Sequence, residues 1–376
     1  MDGAQADTVS LEAAGLNVTL PGGAPGYFNY YWLRDNCPTS FDPQTRERTF
    51  DIFHLSARPR PAAAQVEGDI LVIDWQGENH TSRYPLELLA AYATGGQRHD
   101  PADLPRRPWY ADHYPHLTRV SHPRLKESAE ERRRWMEALL VEGVAIVTDM
   151  PDTDDALTET ALLIGRIRPT FFGPYFDVRV RVKPTNLAYT SKALELHTDV
   201  PAEEHAPGIQ FLHCRANNVT GGLNLFADGT AVAEELRAED PEAFRLLSET
   251  EVPFYKEHDG LDMRARQCVI ELDRHGQVSG LTISQHMADM FDPPQRALDA
   301  YYPAFVRFGR MLQDEKYLMR FTLKAGECIT FDNHRIVHGR EAYSATSGER
   351  YLRGTYTDRG ELRGVYRAMV APGRFG

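Results

Sequence analysis

The sequence predicts a mainly β protein with helical insertions, in which a small β-rich N-terminal domain precedes a larger domain. Three observations predict it. Short apolar runs alternating with period 2 recur along the chain, as in Cys328-Ile329-Thr330-Phe331. Longer stretches with an apolar stripe at helical spacing interrupt those runs. A polar, proline-bearing segment from Gly95 to Arg107 separates the first runs from the rest. At 376 residues the chain is long enough for two domains, and 42% hydrophobic with 26% charged residues is an ordinary folded composition.

The first domain is expected over residues 9–95. Leu16-Asn17-Val18-Thr19-Leu20 alternates, Pro21-Gly22-Gly23 turns, and a dense aromatic run follows from Tyr27 to Leu33. Asp69 to Trp75 reads as a buried strand, Gln76-Gly77-Glu78-Asn79 as its turn and His80 to Tyr84 as the return. Residues 96–124 read as a linker and 125–376 as the second domain. There, Leu125–Leu140 has a charged face and an apolar stripe through Trp135, Met136, Leu139 and Leu140. A strand is expected at Gly143–Thr148, and further helices near 156–165, 232–247 and 295–313.

Composition excludes some roles. A formal net charge of −12 opposes nucleic-acid binding. No apolar run reaches the roughly 20 residues that span a bilayer, so no membrane role is expected. Met1 to Asp7 lacks the basic and apolar regions of a signal peptide. Cys37, Cys214, Cys268 and Cys328 are scattered without CxxC spacing, which fits free thiols in a reducing cytoplasm.

The chemistry gathers in two stretches. In Glu195-Leu196-His197-Thr198-Asp199, an imidazole and a carboxylate stand two residues apart, so on a strand they face one side. Another imidazole, His338, follows 141 residues later in Phe331-Asp332-Asn333-His334-Arg335-Ile336-Val337-His338-Gly339-Arg340. Two His and one carboxylate suit a non-heme Fe(II) centre with open positions. Twelve residues beyond His338 stands Arg350, in a second alternating run, and its guanidinium suits a bidentate carboxylate pair. Arg340 and Arg353 are alternative partners for that carboxylate.

This order of motifs resembles the Fe(II)/2-oxoglutarate dioxygenases, in particular the branch holding taurine dioxygenase and γ-butyrobetaine dioxygenase. The likeness extends through Pro207-Gly208-Ile209-Gln210-Phe211-Leu212-His213-Cys214, Thr220-Gly221-Gly222 and Trp32-Leu33-Arg34-Asp35-Asn36-Cys37-Pro38, from about residue 27 to about 366. It implies a double-stranded β-helix (jelly-roll) catalytic domain, with His197, Asp199 and His338 holding Fe(II). It also implies Arg350 on the far carboxylate of 2-oxoglutarate and Asn224 as a further co-substrate contact. A hydroxylation that consumes O2 and yields succinate and CO2 follows.

The resemblance further implies a quaternary-ammonium substrate. Phe172, Phe176, Tyr189 and Tyr356 match an aromatic cage, whose ring faces attract a permanent cation. Asn186 matches a contact for the substrate's anionic end, with Tyr30, Tyr31 and Arg296 as further donors. A second Asn of the relatives has no counterpart around Ser284-Gln285-His286. Relatives also carry a zinc site of three Cys and a His. Here Cys37 and His80 match, but Thr39, Ser40, Phe41 and Asp42 stand where the other thiols belong, so zinc is not expected. These departures favour 2-(trimethylamino)ethylphosphonate, hydroxylated next to phosphorus, over γ-butyrobetaine. Trimethyllysine ranks third, and a non-catalytic jelly-roll binding protein is the reading from another class. A homodimer is expected from the same resemblance.

Overall fold

The computed structural model of this chain describes residues 8–95, 100–180, 186–258 and 260–371. The chain divides into two units, Met1–Asp100 and Pro101–Pro372. In the first, β1 (Val9–Leu11), β2 (Gly15–Thr19) and β3 (Pro25–Asn29) form an antiparallel sheet ahead of α1 (Tyr30–Asp35). A second antiparallel sheet of β4 (Pro61–Glu67), β5 (Ile70–Trp75) and β6 (Thr81–Pro85) leads into α2 (Leu86–Ala90). Leu16, Val18, Phe28, Leu33, Ile73 and Tyr84 are among its core residues.

The aromatic run from Tyr27 is half strand and half helix. Asn29 switches it: its Oδ1 accepts from the Tyr31 and Trp32 N–H groups at 2.9 and 3.4 Å, an N-cap that starts α1. Cys37 lies in the same unit, its Sγ 3.1 Å from Thr39 Oγ1 and 3.4 Å from His80 Nε2.

The second unit opens with β7 (Arg119–Ser121), α3 (His122–Glu127), α4 (Ala129–Val141), β8 (Val144–Thr148) and α5 (Asp154–Leu162). Residues 96–99 of the expected linker lie outside the described residues. Of the remainder, Asp100 ends the first unit, and 101–124 belongs to the second and carries β7, which pairs in parallel with β8. One helix was expected from Leu125 to Leu140. Ser128 divides it, its Oγ accepting from the Glu131 N–H to cap α4.

Next come β9 (Phe176–Val178), β10 (Leu194–His197), β11 (Ile209–Asn217), β12 (Asn224–Asp228), α6 (Gly229–Glu239) and α7 (Pro241–Glu249). The helix expected over 232–247 is likewise two. Asp240 ends α6, its Oδ1 caps the Ala243 N–H at 3.0 Å, and Pro241 takes the first position of α7, where a missing N–H is harmless. After β13 (Glu251–His258), β14 (Leu261–Cys268), β15 (Ile270–Leu272) and β16 (Val278–Leu281) comes α8 (Gln295–Leu312). The chain closes with β17 (Met319–Phe321), β18 (Cys328–Asp332), β19 (Ile336–Arg340), β20 (Arg350–Thr357) and α9 (Arg359–Val370).

Two sheets make the jelly roll: six strands ordered β7-β8-β18-β11-β20-β9 and four ordered β10-β19-β12-β17, all antiparallel except β7 with β8. Strand alternation builds the layers. Val144, Ile146, Leu212, Ile329 and Phe331 pack inward against Phe226, Phe321 and Ile336 of the smaller sheet. Their neighbours Ala145, Val147, Phe211 and Cys328 face outward into α4, α5 and α9. On the smaller sheet, Ala227 and Val337 face outward into the α6–α8 insertion.

Candidate active site

The parity that buries Leu212, Phe226, Ile336 and Leu352 between the sheets puts Gln210, Asn224, His338 and Arg350 on the same inner faces. There the apolar filling gives way to a cavity that opens to solvent. His197 ends β10 directly across from His338 in β19, so backbone pairing brings the imidazoles together, ring centroids 4.4 Å apart. Asp199 follows on the turn after β10. Ligand atoms of His197, Asp199 and His338 lie within 4.8 Å of one another, the one such cluster of three or more His, Cys, Asp or Glu among the described residues.

Each ligand is held from behind. His197 Nδ1 is 2.7 Å from the Glu195 carbonyl, which turns Nε2 toward Asp199 Oδ1 at 3.1 Å. Asp199 Oδ2 accepts from Gln210 Nε2 and from the Tyr356 hydroxyl, each at 2.7 Å. Those donors are a cross-strand pair of β11 and β20. Oδ1 is thereby left to face both imidazoles, with His338 Nε2 at 3.9 Å. Asn333, just before β19, grips the ligand turn: its Oδ1 accepts from the Asp199 N–H at 2.7 Å, and its Nδ2 donates to the Asp199 carbonyl at 3.0 Å.

The turn is strained. Val200, β-branched and followed by Pro201, sits at φ 60°, a conformation costing about 1–3 kcal/mol that the Asn333 grip sustains.

Electrostatics match a cation site. Burial opposes ionisation of Asp199, but hydrogen bonds with His197 and Tyr356 and the neighbouring His338 outweigh it and hold the carboxyl well below its ordinary range. Burial, reinforced by His197, pushes His338 down to about 3, so at neutral pH it presents a neutral imidazole. Its Nε2 is the atom facing Asp199, and its Nδ1 is buried without a hydrogen-bond partner among the described residues. Burial and Asp199 raise Tyr356 well above the usual phenol value, so it stays a donor. Two imidazoles and a carboxylate whose Oδ1 faces both of them fit Fe(II) with open positions.

Arg350 lines the same cavity, 5% exposed. Burial, with Arg340 adding to it, lowers Arg350 to about 10, still a cation at neutral pH. Its Nη2 donates to Asn224 Oδ1 at 3.1 Å, its Nε has no partner, and among the described residues no carboxylate pairs with it. The alternative arginines are engaged. Arg340 donates to the Thr190 and Lys192 carbonyls at 2.7 and 2.6 Å, and Arg353 pairs with Asp177 at 2.9 Å. Asn224 is engaged too, because its Nδ2 donates to the Phe321 carbonyl at 3.2 Å.

Phe172, Phe176, Tyr189 and Tyr356 all line this cavity. Phe176 stacks on Tyr356 with centroids 5.1 Å apart, and Phe172 meets Phe176 at 6.0 Å and Tyr189 at 6.5 Å. Gly354 permits that wall. It pairs with Phe176 across β20 and β9, and a Cβ there would come within 2.2 Å of the Phe176 ring. Asn186 also lines the cavity and caps the Leu187–Tyr189 turn through the Ala188 N–H at 2.8 Å.

Three further residues were expected as donors to the anionic end of the substrate. Tyr30 is buried in the first unit, donating to the Glu12 carbonyl at 3.0 Å, and Tyr31 is 39% exposed there. Arg296 is almost wholly exposed on α8, 3.8 Å from Asp299. Three residues went unassigned in the sequence reading: Gln210, Asn333 and His286, the last set edge-on to His197 at 4.8 Å. Gln210 carried a signal, since it alternates with outward-facing Ile209 and Phe211.

Residues 105–356 match the family model described as taurine catabolism dioxygenase TauD, TfdA family. A γ-butyrobetaine dioxygenase of Pseudomonas sp. (strain AK-1) is 34% identical over 362 residues, covering 93% of this chain and 92% of that one. The Homo sapiens γ-butyrobetaine dioxygenase is 29% identical, covering 87% of each. A mitochondrial trimethyllysine dioxygenase of Rattus norvegicus is 26% identical, covering 91% of this chain and 82% of that one. Among solved structures, AAD-2 in complex with Mn(II) and N-oxalylglycine aligns with a TM-score of 0.49 at 17% identity, over 62% of this chain and 90% of that chain.

Proposed function

This chain belongs to the TauD, TfdA family of Fe(II)- and 2-oxoglutarate-dependent dioxygenases, and we propose that it hydroxylates a small trimethylammonium zwitterion, with γ-butyrobetaine the leading substrate. The observation that carries the proposal is four aromatic side chains lining the cavity of the His-Asp-His cluster. Identity to γ-butyrobetaine dioxygenases supports this order over 2-(trimethylamino)ethylphosphonate, which the sequence departures alone favoured.

Iron and 2-oxoglutarate together supply the oxidising chemistry, in which O2 is consumed, succinate and CO2 form, and a substrate C–H becomes C–OH. In this reading His197, Asp199 and His338 hold the iron. Arg350 pairs with the far carboxylate of 2-oxoglutarate, and Asn224 aims that guanidinium through Oδ1 rather than meeting the co-substrate itself. Phe172, Phe176, Tyr189 and Tyr356 exclude water and hold the trimethylammonium by their ring faces, and Asn186 offers its amide to the anionic end. A cytoplasmic homodimer belongs to this reading, and light scattering on the purified chain tests the dimer.

One assay decides substrate order: γ-butyrobetaine, the phosphonate, trimethyllysine and taurine, each with Fe(II), 2-oxoglutarate and O2, reading succinate and hydroxylated product. γ-Butyrobetaine should be fastest; a faster phosphonate reverses the order, and turnover of taurine alone removes the cage. A desolvated cation–π contact is worth about 2 kcal/mol, so Tyr189→Leu should weaken substrate binding roughly 30-fold.

A further inference from the structure

A second concave site lies in the helical layer outside the six-stranded sheet, separate from the iron cavity. Leu139 of α4, Ile209 of β11 and Leu362 of α9 form its apolar floor, and it is a shallow hollow open to solvent. Its polar lining is Arg106, Arg335, Arg359, Arg363 and one carboxylate, Asp332.

Local partners account for only part of that charge. Arg335 is neutralised within the fold, pairing with Asp228 at 2.6 and 3.1 Å and donating to the Val141 and Arg107 carbonyls. Arg359 pairs with Asp332, Nε to Oδ2 at 3.1 Å, and donates to the Ser279 carbonyl at 3.1 Å. Asp332 Oδ1 accepts from the His334 N–H at 3.0 Å, so that carboxylate is already shared. Arg106, exposed at the rim, donates to the Val278 carbonyl at 2.7 Å and meets no carboxylate among the described residues. Arg363, half-buried on α9, has neither a hydrogen bond nor an ion pair among them.

Four guanidinium groups thus converge on a pocket where Asp228 and Asp332 are the only carboxylates paired with them among the described residues. This happens on a chain with a formal net charge of −12, so a general excess of arginine does not explain it. Like charges held in a concavity repel one another, and an anion relieves that repulsion. Guanidinium forks match the paired oxygens of carboxylate and phosphate.

We propose that this pocket binds a small dianion, inorganic phosphate or a dicarboxylate, held by Arg106, Arg359 and Arg363. The bound oxygens share Arg359 with Asp332 and take the donors that Arg106 and Arg363 leave open.

The test is calorimetric titration of the full-length chain, without iron and at constant ionic strength, with inorganic phosphate and separately with succinate. An Arg350→Ala background keeps the co-substrate cation out of the comparison. One anion per chain should bind, with Arg106→Ala and Arg363→Ala each weakening it about tenfold, as loss of a charge-assisted hydrogen bond does. The double variant should abolish binding at millimolar anion. The two arms separate the sources: tighter phosphate assigns an inorganic or phosphoryl ligand, tighter succinate a dicarboxylate. Arg363 makes no contact that folding needs, so Arg363→Ala keeps the test open if Arg106→Ala misfolds. No heat with either anion at tens of millimolar, or undiminished binding in Arg363→Ala, overturns the proposal.

Discussion

Cys37 and His80 in the first unit stand 3.4 Å apart; His197 and Asp199 in the second stand 3.1 Å apart. The distances are alike and the surroundings opposite. Around Cys37, Thr39 approaches the sulfur at 3.1 Å, and hydrogen bonds from Ser82 and Thr39 outweigh the burial that would otherwise raise the thiol. The polar atoms there answer one another. Around Asp199, hydrogen bonds are placed on the outer atoms, Oδ2 and the His197 Nδ1, so that Oδ1 and Nε2 stay convergent. A cation site is therefore marked by which ligand atoms the fold turns toward one another, more than by the number of ligating residue types nearby.

Four substitutions can break or sharpen this contrast. The largest effect should follow Asp199→Ala, since two imidazoles alone hold iron poorly. Mn(II) binding by calorimetry and succinate formation should both fall below detection. Retained turnover would mean that the cluster is not the metal centre.

Arg350→Ala should come next. Removing one partner of a buried charge pair costs about 2–5 kcal/mol, so KM for 2-oxoglutarate should rise on the order of 100-fold. Metal affinity in the absence of co-substrate should hold. An unchanged KM would hand the role to Arg340 or Arg353.

Tyr356→Phe removes a hydrogen bond to Asp199 Oδ2 while keeping the ring. Loss of such a supporting contact typically weakens metal binding 10–100-fold; with Gln210 still in place, about tenfold is expected. Substrate KM should move little, which separates the phenol's grip on Asp199 from the ring's place in the cage. A large KM change with intact Mn(II) affinity would reverse that division.

Cys37→Ser should do least. Serine keeps a hydrogen-bonding group at nearly the same volume, so unfolding free energy should change by about 1 kcal/mol or less. Metal analysis of both proteins should find no stoichiometric zinc. One zinc per chain, lost on Cys37→Ser, would show that the first unit completes a metal site after all.

The sequence by itself determined the chemistry that period 2 and residue type can encode. His197 and Asp199 two apart, His338 on an alternating run and Arg350 on another are local patterns, and side-chain direction on a strand follows from backbone geometry alone. The jelly roll needed more than periodicity, because alternation marks strands without ordering them. Helix breaks at Ser128 and Asp240 were legible as caps, yet an apolar stripe running past both hid them. Tertiary structure alone decided that backbone carbonyls hold Arg340, Asp177 holds Arg353 and the Asn224 amide holds Arg350, since the three differ only in what lies opposite them. It also decided that Gln210 and Tyr356 share one carboxylate oxygen and that Asn333 holds a turn 134 residues away. It set Tyr30 within the core of the first unit, donating to the Glu12 carbonyl. Convergent ligand atoms and unpaired charges are properties of surroundings, and surroundings come from residues far apart in the chain.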